Sequence, residues 1–293
     1  MRLSDLPLGS KIKFGKYQGI EDEKPEDIIW LIVDKNHEGY PENSCTLMSE
    51  YCLDNLIFDY REIGNPDTWY VPEKSHPTNT RSGYGNRRWS VSNICQWLNS
   101  DKPAEKWYTP QHQYDMPPNS NVHISFNYYY RPGFLSYFKK QEIEKLLDTT
   151  LITALSGSDT NGKTGEKEIS INKIFFLSVT EVFNTTPNNN TILEGKYFNF
   201  FTNNITKAYP KNNLNSVGWW LRTCSNVDGT NGHGVNYNGI NQITFCYATH
   251  SNWWIRPCCN ISLNNSIIED SDGTYKIEYS KATKYISYKG GQK

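Results

Sequence analysis

No apolar run in the 293-residue chain is long enough to cross a membrane: the longest, IIWLIV at 28–33, is far short of the roughly 18 residues a spanning helix needs. The opening MRLSDLPLGSKIKFGKY lacks the apolar core of a signal peptide, so the expectation is cytoplasmic synthesis without membrane insertion. An excess of charge of one sign is also missing. Thirty basic and thirty-one acidic residues give a net charge of -1, which removes the global attraction expected of a general nucleic-acid binder. Seven cysteines form no CxxC pair and no regular spacing, which points to free thiols and against both a disulfide framework and a zinc knuckle. The six histidines show no HxxxH or HxH spacing, and no GxSxG, Walker or Rossmann glycine pattern occurs. Metal, hydrolase and nucleotide chemistries therefore lack their usual signatures, and no cofactor is expected.

What is present is aromatic and unevenly charged. Residues 1–60 hold six Lys/Arg against twelve Asp/Glu, with the acidic turn EDEKPED at 21–27, whereas 211–265 hold three basic residues, one acid and about a dozen asparagines. KIKFGKY at 11–17 and IIWLIVDKN at 28–36 are rich in β-branched and aromatic residues and predict an opening hairpin or meander. Residues 61–88, dense in Pro, Gly, Asn and Arg, predict an irregular surface excursion. Ile94, Trp97 and Leu98 behind Ser90 and Ser92 predict a short amphipathic helix over 90–100, and the spacing of Phe138, Ile143, Leu146 and Leu147 predicts another over 136–148. INKIFFLS at 171–178 predicts a buried strand near the centre of the fold. Ser178 and Glu181 form a capping box for a helix after it, and IIEDSDGTYKIEY at 267–279 a closing hairpin turned at Asp272-Gly273. The class is α+β, in one domain over 1–280: N-terminal strands to 60, loops and helices over 61–170, core sheet and binding loop over 171–280, and a tail at 281–293.

Two phrases stand out, VGWWLRT at 217–223 and NWWIRPCCNIS at 252–262, separated by about thirty residues dominated by Asn, Gly, Ser, Thr, Tyr and His. Trp219 and Trp220 supply large apolar anchors, and Arg222 and Arg256 can each lock carbonyls or a carboxylate with a planar fork, so these four form the expected structural frame. The frame resembles a bacterial and phage domain family whose C-terminal half reads approximately W-W-L-R-[ST]-P, an Asn/Ser/Tyr-rich stretch, then G-V-R-P-A-L/C-N. Further matches are KIKFGKY, WLIVDKNHEGYPENSCTLMSE, YGNRRWSVSNICQWLNS, WYTPQH, GFLSYF, LLDTTL, KIFFLSVTEV, EGKYF and SDGTY, covering nearly the whole chain. The resemblance implies a C-type-lectin-like fold, of the kind shared with formylglycine-generating enzymes, with a mixed or antiparallel sheet, short packed helices and long loops. It also implies the role of a variable protein of a diversity-generating retroelement, in which a mutagenic reverse transcriptase rewrites adenine-derived codons in a C-terminal binding loop.

The chain departs from that pattern in three places: Cys224 stands where Pro is usual, Trp254 replaces Gly, and Cys258 and Cys259 stand at or near the Ala-Leu or Ala-Cys pair. Trp254 implies either a tolerant site or a new aromatic contact surface. Between the frames, Asn226, Asn231, His233, Asn236, Tyr237, Asn238, Asn241 and Gln242 are expected to form a ligand-binding surface with Thr244, Phe245, Tyr247, Thr249, His250, Ser251, Asn252 and Trp253. Tyr and Trp give rigid contact area and Asn and Ser adaptable hydrogen bonds, as in antibody loops. Alanine replacement of Tyr237, Phe245, Tyr247 and Trp253 is expected to abolish binding without lowering the melting temperature. Asparagine also crowds NTTPNNN at 184–190 and NNLNS at 212–216, so the composition of an AT-rich gene is a competing account.

The expected function is non-enzymatic recognition of a protein or cell-surface macromolecule by a phage- or prophage-encoded, virion-associated chain. Two alternatives stay open: a thiol- or metal-dependent oxidase on the same fold, and a structural virion or assembly domain. SNVDGTNG at 225–232 offers oxygen ligands, but one Asp without a terminal Glu makes a weak calcium loop. The Glu-Pro-Asn and Trp-Asn-Asp signatures of calcium-dependent sugar-binding lectins are missing. His37 and His112, inside family-like phrases, are expected to be structural hydrogen-bonders.

Overall fold

A computed structural model describes residues 1–19, 22, 24–66, 80–160, 162–163, 165–186, 192–202, 206–225, 229–242 and 247–279, with 241 and 242 described by backbone alone. The first strands are β1 (Lys11–Tyr17), β2 (Glu26–Lys35), β3 (Ser44–Ser49) and β4 (Asp54–Asn55). They are followed by α1 (Arg81–Tyr84), α2 (Asn93–Leu98) and α3 (Lys140–Ile143). The middle of the chain forms β5 (Thr149–Ala154), β6 (Lys167–Asn172), β7 (Ile174–Phe175) and α4 (Val179–Phe183). The C-terminal strands are β8 (Trp219–Cys224), β9 (Gly232–Val235), β10 (Asn241–Gln242), β11 (Trp254–Ile255), β12 (Cys258–Ser262), β13 (Ile267–Glu269) and β14 (Tyr275–Ile277). The fold is α+β.

Among the described residues three sheets form: seven strands in the order β13-β14-β1-β2-β3-β12-β7, five in the order β10-β9-β8-β11-β4, and the hairpin β5-β6. The opening hairpin and the closing hairpin form where the sequence predicts them, and β1 runs parallel to β14 with Ile12 beside Tyr275, so the two ends of the fold meet in one sheet. One hydrophobic core is shared by both large sheets, with Ile12, Trp30 and Leu47 from the first and Trp219, Trp220 and Ile255 from the second, all fully buried. The ladders of β1 and β2 shift register between Lys13 and Lys16. Gly15 lies at that bulge with φ 68°, and a Cβ there would come within 2.2 Å of the Phe138 ring.

That packing accounts for a correction. The helix expected over 136–148 is absent; a 3-10 turn at Phe134–Tyr137 and the single turn of α3 take its place, with Phe138 extended at ψ 142° between them. Phe138 leaves helical geometry to lay its ring over Gly15 and edge-on to Phe14 at 5.8 Å, and Leu146 forms a β-bridge with Ile261. Tertiary contacts override a periodicity carried by only four apolar residues.

The strand expected over 171–178 is likewise divided. β6 ends at Asn172 and β7 begins at Ile174, in different sheets. Asn99, just past α2, holds the crossing: its Oδ1 accepts the Lys173 and Ile174 amides at 2.9 and 3.0 Å, and its Nδ2 donates to the Ile174 carbonyl at 2.9 Å. The side chain stands in for a neighbouring strand. Phe175 to Leu177 are fully buried, but β7 is an edge strand, not a central one. The capping box after it forms, Ser178 Oγ accepting the Glu181 amide at 3.1 Å and Glu181 Oε2 accepting the Ser178 amide at 2.8 Å. α2 is capped by Ser92, whose Oγ accepts the Cys95 amide at 3.3 Å, and buries Ile94, Trp97 and Leu98. Residues 67–79 of the expected surface excursion, and the tail from 280 onward, lie outside the described residues. The rest of that excursion is not all surface: Arg87 is fully buried. Among the described residues, no helix is long and apolar enough to cross a membrane.

Candidate ligand-binding surface

The two tryptophan phrases meet in the five-stranded sheet. β11 lies parallel to β8, with Trp254 beside Trp219, so the chain that leaves β8 at 224 comes back alongside it at 254 after forming β9 and β10 of the same sheet. β9 and β10 form a hairpin on the other side of β8, and Asn231 forms an isolated bridge with Tyr247.

The frame is held from below by three arginines. Arg222 is fully buried and grips Glu181 with both ends of its fork, Nη1 to Oε2 at 2.6 Å and Nη2 to Oε1 at 2.9 Å, while also donating to the Phe176 and Glu194 carbonyls. Tyr40 adds a hydroxyl to Glu181 at 2.7 Å. Arg256, also buried, donates to the carbonyls of Ser49 and Glu50, its partners among the described residues, and lies 5.1 Å from the Trp219 ring; burial pushes its guanidinium below its ordinary value. Arg87 stacks on Phe58 at 3.7 Å and Trp220 at 4.8 Å and donates to the carbonyls of Leu221, Thr223 and His233, tying β8 to β9. The YGNRR phrase that supplies Arg87 carried no assigned role in the sequence. Its signal, an arginine pair beside glycine and tryptophan, does not distinguish a buried guanidinium from an exposed one.

Directly paired residues in a sheet share a face, so Trp254 and Trp219 point one way and Trp220 with Gly234 the other. Trp253 follows Trp220. Its ring stacks on Trp220 at 5.4 Å and 28°, filling space that a Cβ at Gly234 would enter at 2.4 Å. Trp253 is 6% exposed and His233 0%, so these two are interior residues, not surface contacts. Period-two alternation and two glycine hollows decide this, and a WW dipeptide alone does not say which ring turns inward.

The other expected contact residues are divided. Tyr237, 61% exposed, and Asn238 project from the β9–β10 turn, and Asn252 is exposed on the return. Asn236 shapes that turn, its Oδ1 accepting the Asn238 and Ile240 amides at 2.9 and 3.0 Å. Asn231, Tyr247, Thr249, His250 and Ser251 are half-buried. Tyr247 stacks on Tyr84 at 4.2 Å, so α1 buttresses the patch, and burial lowers the His250 pKa. Asn241 and Gln242 sit on β10 opposite Val235 and Gly234. Asn226, Thr244 and Phe245 lie outside the described residues, as do 226–228 of the weak calcium loop, its single Asp among them.

The domain of unknown function DUF6273 matches residues 42–263, about three quarters of the chain. The chain belongs to the DUF6273 family. No curated protein and no solved structure matches it. The DUF6273 span contains the frame, the loop surface and all three arginines, and excludes β1 and β2.

His37 Nδ1 lies 2.6 Å from Asp34 with its ring stacked on Phe198 at 3.8 Å, and His112 Nε2 lies 3.2 Å from Glu62. Among the described residues no group of three or more His, Cys, Asp or Glu could hold a metal ion. The six described cysteines are free and buried, and burial pushes the thiols of Cys45, Cys52 and Cys95 up to about 12 and raises those of Cys224, Cys258 and Cys259.

One buried carboxyl of the DUF6273 domain titrates near neutrality. Glu194, from the EGKYF phrase, accepts the Ala154 amide at 2.8 Å and the Thr223 hydroxyl, and desolvation raises its pKa from 4.5 to about 7. Arg222 opposes that rise. The folded state holds this proton more tightly than the unfolded chain, so its contribution to stability falls as pH climbs from about 4.5 through about 7. Urea unfolding at pH 5 and pH 8 should show a loss of about 2–3 kcal/mol between them that Glu194→Gln removes. An unchanged pH profile in that variant would assign the dependence to other groups.

Proposed function

We propose that this DUF6273 chain is a non-enzymatic recognition protein with a C-type-lectin-like fold, similar to the variable proteins of diversity-generating retroelements. It displays a contact surface built by residues 224–254 and binds a protein or cell-surface macromolecule. The observation that carries this reading is the parallel pairing of Trp219 with Trp254, which sets both ends of the polar, aromatic segment on one sheet. A segment anchored this way can change its exposed side chains while the buried arginines and tryptophans keep the frame. Tyr237, Asn238 and Asn252 supply the exposed Tyr and Asn that such surfaces use. A virion-associated location fits the same reading.

The test is the DNA flanking the gene. An imperfect repeat of the segment encoding about 220–260, differing from it only opposite adenines and accompanied by a reverse-transcriptase gene, would establish the surface as diversified. Its absence would reduce the loops to a fixed surface and favour an assembly role. The oxidase alternative needs a low-pKa thiol, and a reagent of moderate reactivity discriminates. At pH 8 the native protein should be modified at no more than one of its seven cysteines, Cys246 being outside the described residues, whereas the unfolded chain is modified at all of them. Fast reaction at Cys258 or Cys259 would revive the oxidase.

A further inference from the structure

A cleft of about 520 Å³ opens beside β4 and β11, away from the β9–β10 turn residues, and has Trp254 and Asn55 in its lining. These two are cross-strand partners and share a face. Residues 52–55 form the base, with Tyr51 at its edge, and the end of β1 and start of β2 bring Asp22, Glu26 and Asp27. Residues 210–213 make another wall, tied to the base by the Cys52 amide donating to the Tyr209 carbonyl at 2.9 Å. His123 and Ile124 close a further side, anchored by Ser125 Oγ donating to Asn55 Oδ1 at 2.9 Å.

The charge in this cleft is one-sided. Its lining holds four carboxylates, Asp22, Glu26, Asp27 and Asp54, and one lysine, Lys211. Asp54 is committed to the fold, with Arg131 Nη1 at 2.7 Å and the Tyr17 hydroxyl at 2.8 Å. Glu26 meets Lys211, and Asp27 meets Lys16 at 3.3 Å, all of these side chains more than 40% exposed. Pairs this exposed contribute little to the fold and can be exchanged for another cation. Asp22 gives Oδ2 to the Gly19 amide at 2.8 Å and has no ion pair among the described residues. Half-buried Trp254 and Tyr51 add aromatic surface, which attracts cations through the ring quadrupole.

The rim narrows the choice of occupant. Val122 and Leu214, each adjacent in sequence to a lining residue, are 86% and 96% exposed, and Ile124 in the lining is 51% exposed. A free polyamine has no use for an apolar rim, whereas a polypeptide covers it with the neighbours of its charged residue. We propose that this cleft binds a lysine- or arginine-bearing segment of a partner protein, the cation lying against Trp254 and Tyr51 and facing Asp22 and Asp27. Tyr51, Asn55 and Trp254 fall inside the DUF6273 match and Asp22, Glu26 and Asp27 outside it, so this chain's own N-terminal hairpin adds the charge to a floor within the family span. Trp254 is the one lining residue within 224–254, so binding here does not depend on the loop being diversified, and this inference and the proposed recognition function fail separately.

Fluorescence anisotropy with a labelled hexa-arginine peptide and the full chain tests it. The expected result is saturable binding that Asp22→Asn with Asp27→Asn weakens about tenfold or more. Trp254→Ala should weaken it about threefold or more, and Trp254→Phe should retain most of it. Glu38→Gln with Glu144→Gln, exposed carboxylates outside the cleft, should bind as wild type. No binding, wild-type binding by both cleft variants, or an equal loss in the Glu38 and Glu144 variant would overturn the site. Displacement of the peptide by chitotriose would replace the cation with a neutral sugar, and displacement by spermidine at the peptide's own affinity would overturn the partner protein as the source.

Discussion

Replacing Arg222 by methionine should destabilise the protein by about 3–5 kcal/mol, because it strands the Glu181 carboxylate in a site with no solvent. Both side chains are buried to 1% exposure or less. Among the described residues Glu181 keeps the Tyr40 hydroxyl and the Ser178 amide, while the Phe176 carbonyl loses its guanidinium donor and the Glu194 carbonyl is left with Ser178 Oγ at 2.7 Å. For a chain of this size that shift corresponds to a melting temperature lower by roughly 5–8 °C. The double variant Arg222→Met with Glu181→Gln should recover part of the loss, since the uncompensated charge is removed with its partner. Additive losses in the double variant would show that the two residues act through packing and not as a pair. Unfolding in urea, followed by tryptophan fluorescence, gives all three values.

Trp253→Ala should cost about 3–5 kcal/mol, the range for truncating a large aromatic in a core that cannot collapse around it. The ring lies between the Gly218 and Gly234 backbones and stacks on Trp220, three features unable to move inward to fill the hole. Trp254→Ala, one residue along, should change stability by less than about 1 kcal/mol, because its side chain is half-buried beside an open cleft. Paired melting curves decide it. Equal destabilisation by the two substitutions would mean that the strand faces are not assigned as described. The result also bears on mapping of the recognition surface: loss of binding in Trp253→Ala reports unfolding, and the informative substitutions are Tyr237, Asn238 and Asn252.

Local signals were legible where one short segment contains both the cause and the partner. The Ser178–Glu181 capping box, the Ser92 cap of α2 and the Asp272-Gly273 turn of the closing hairpin all form, because each depends on groups within a few residues. The frame arginines were legible as lockers of carbonyls and carboxylates, but not their partners, which lie 41 residues away for Glu181 and more than 200 for Ser49. Arg87 was illegible because a guanidinium is buried only when carbonyls and ring faces from distant strands surround it at once.

Legible in the sequence were the α+β class, the opening and closing hairpins, the frame of paired tryptophans and arginines, and the polar, aromatic character of the stretch between them. Those follow from composition, alternation and capping, which act over a few residues. Tertiary structure decided three other matters. It broke the 136–148 periodicity so that Phe138 could cover Gly15, and it divided 171–178 between two sheets at Asn99. It also turned Trp253 into the core and Trp254 toward an acidic cleft. Each depends on which backbone offers a hollow, a hydrogen-bond partner or a charge from elsewhere in the chain, and no local pattern carries that information.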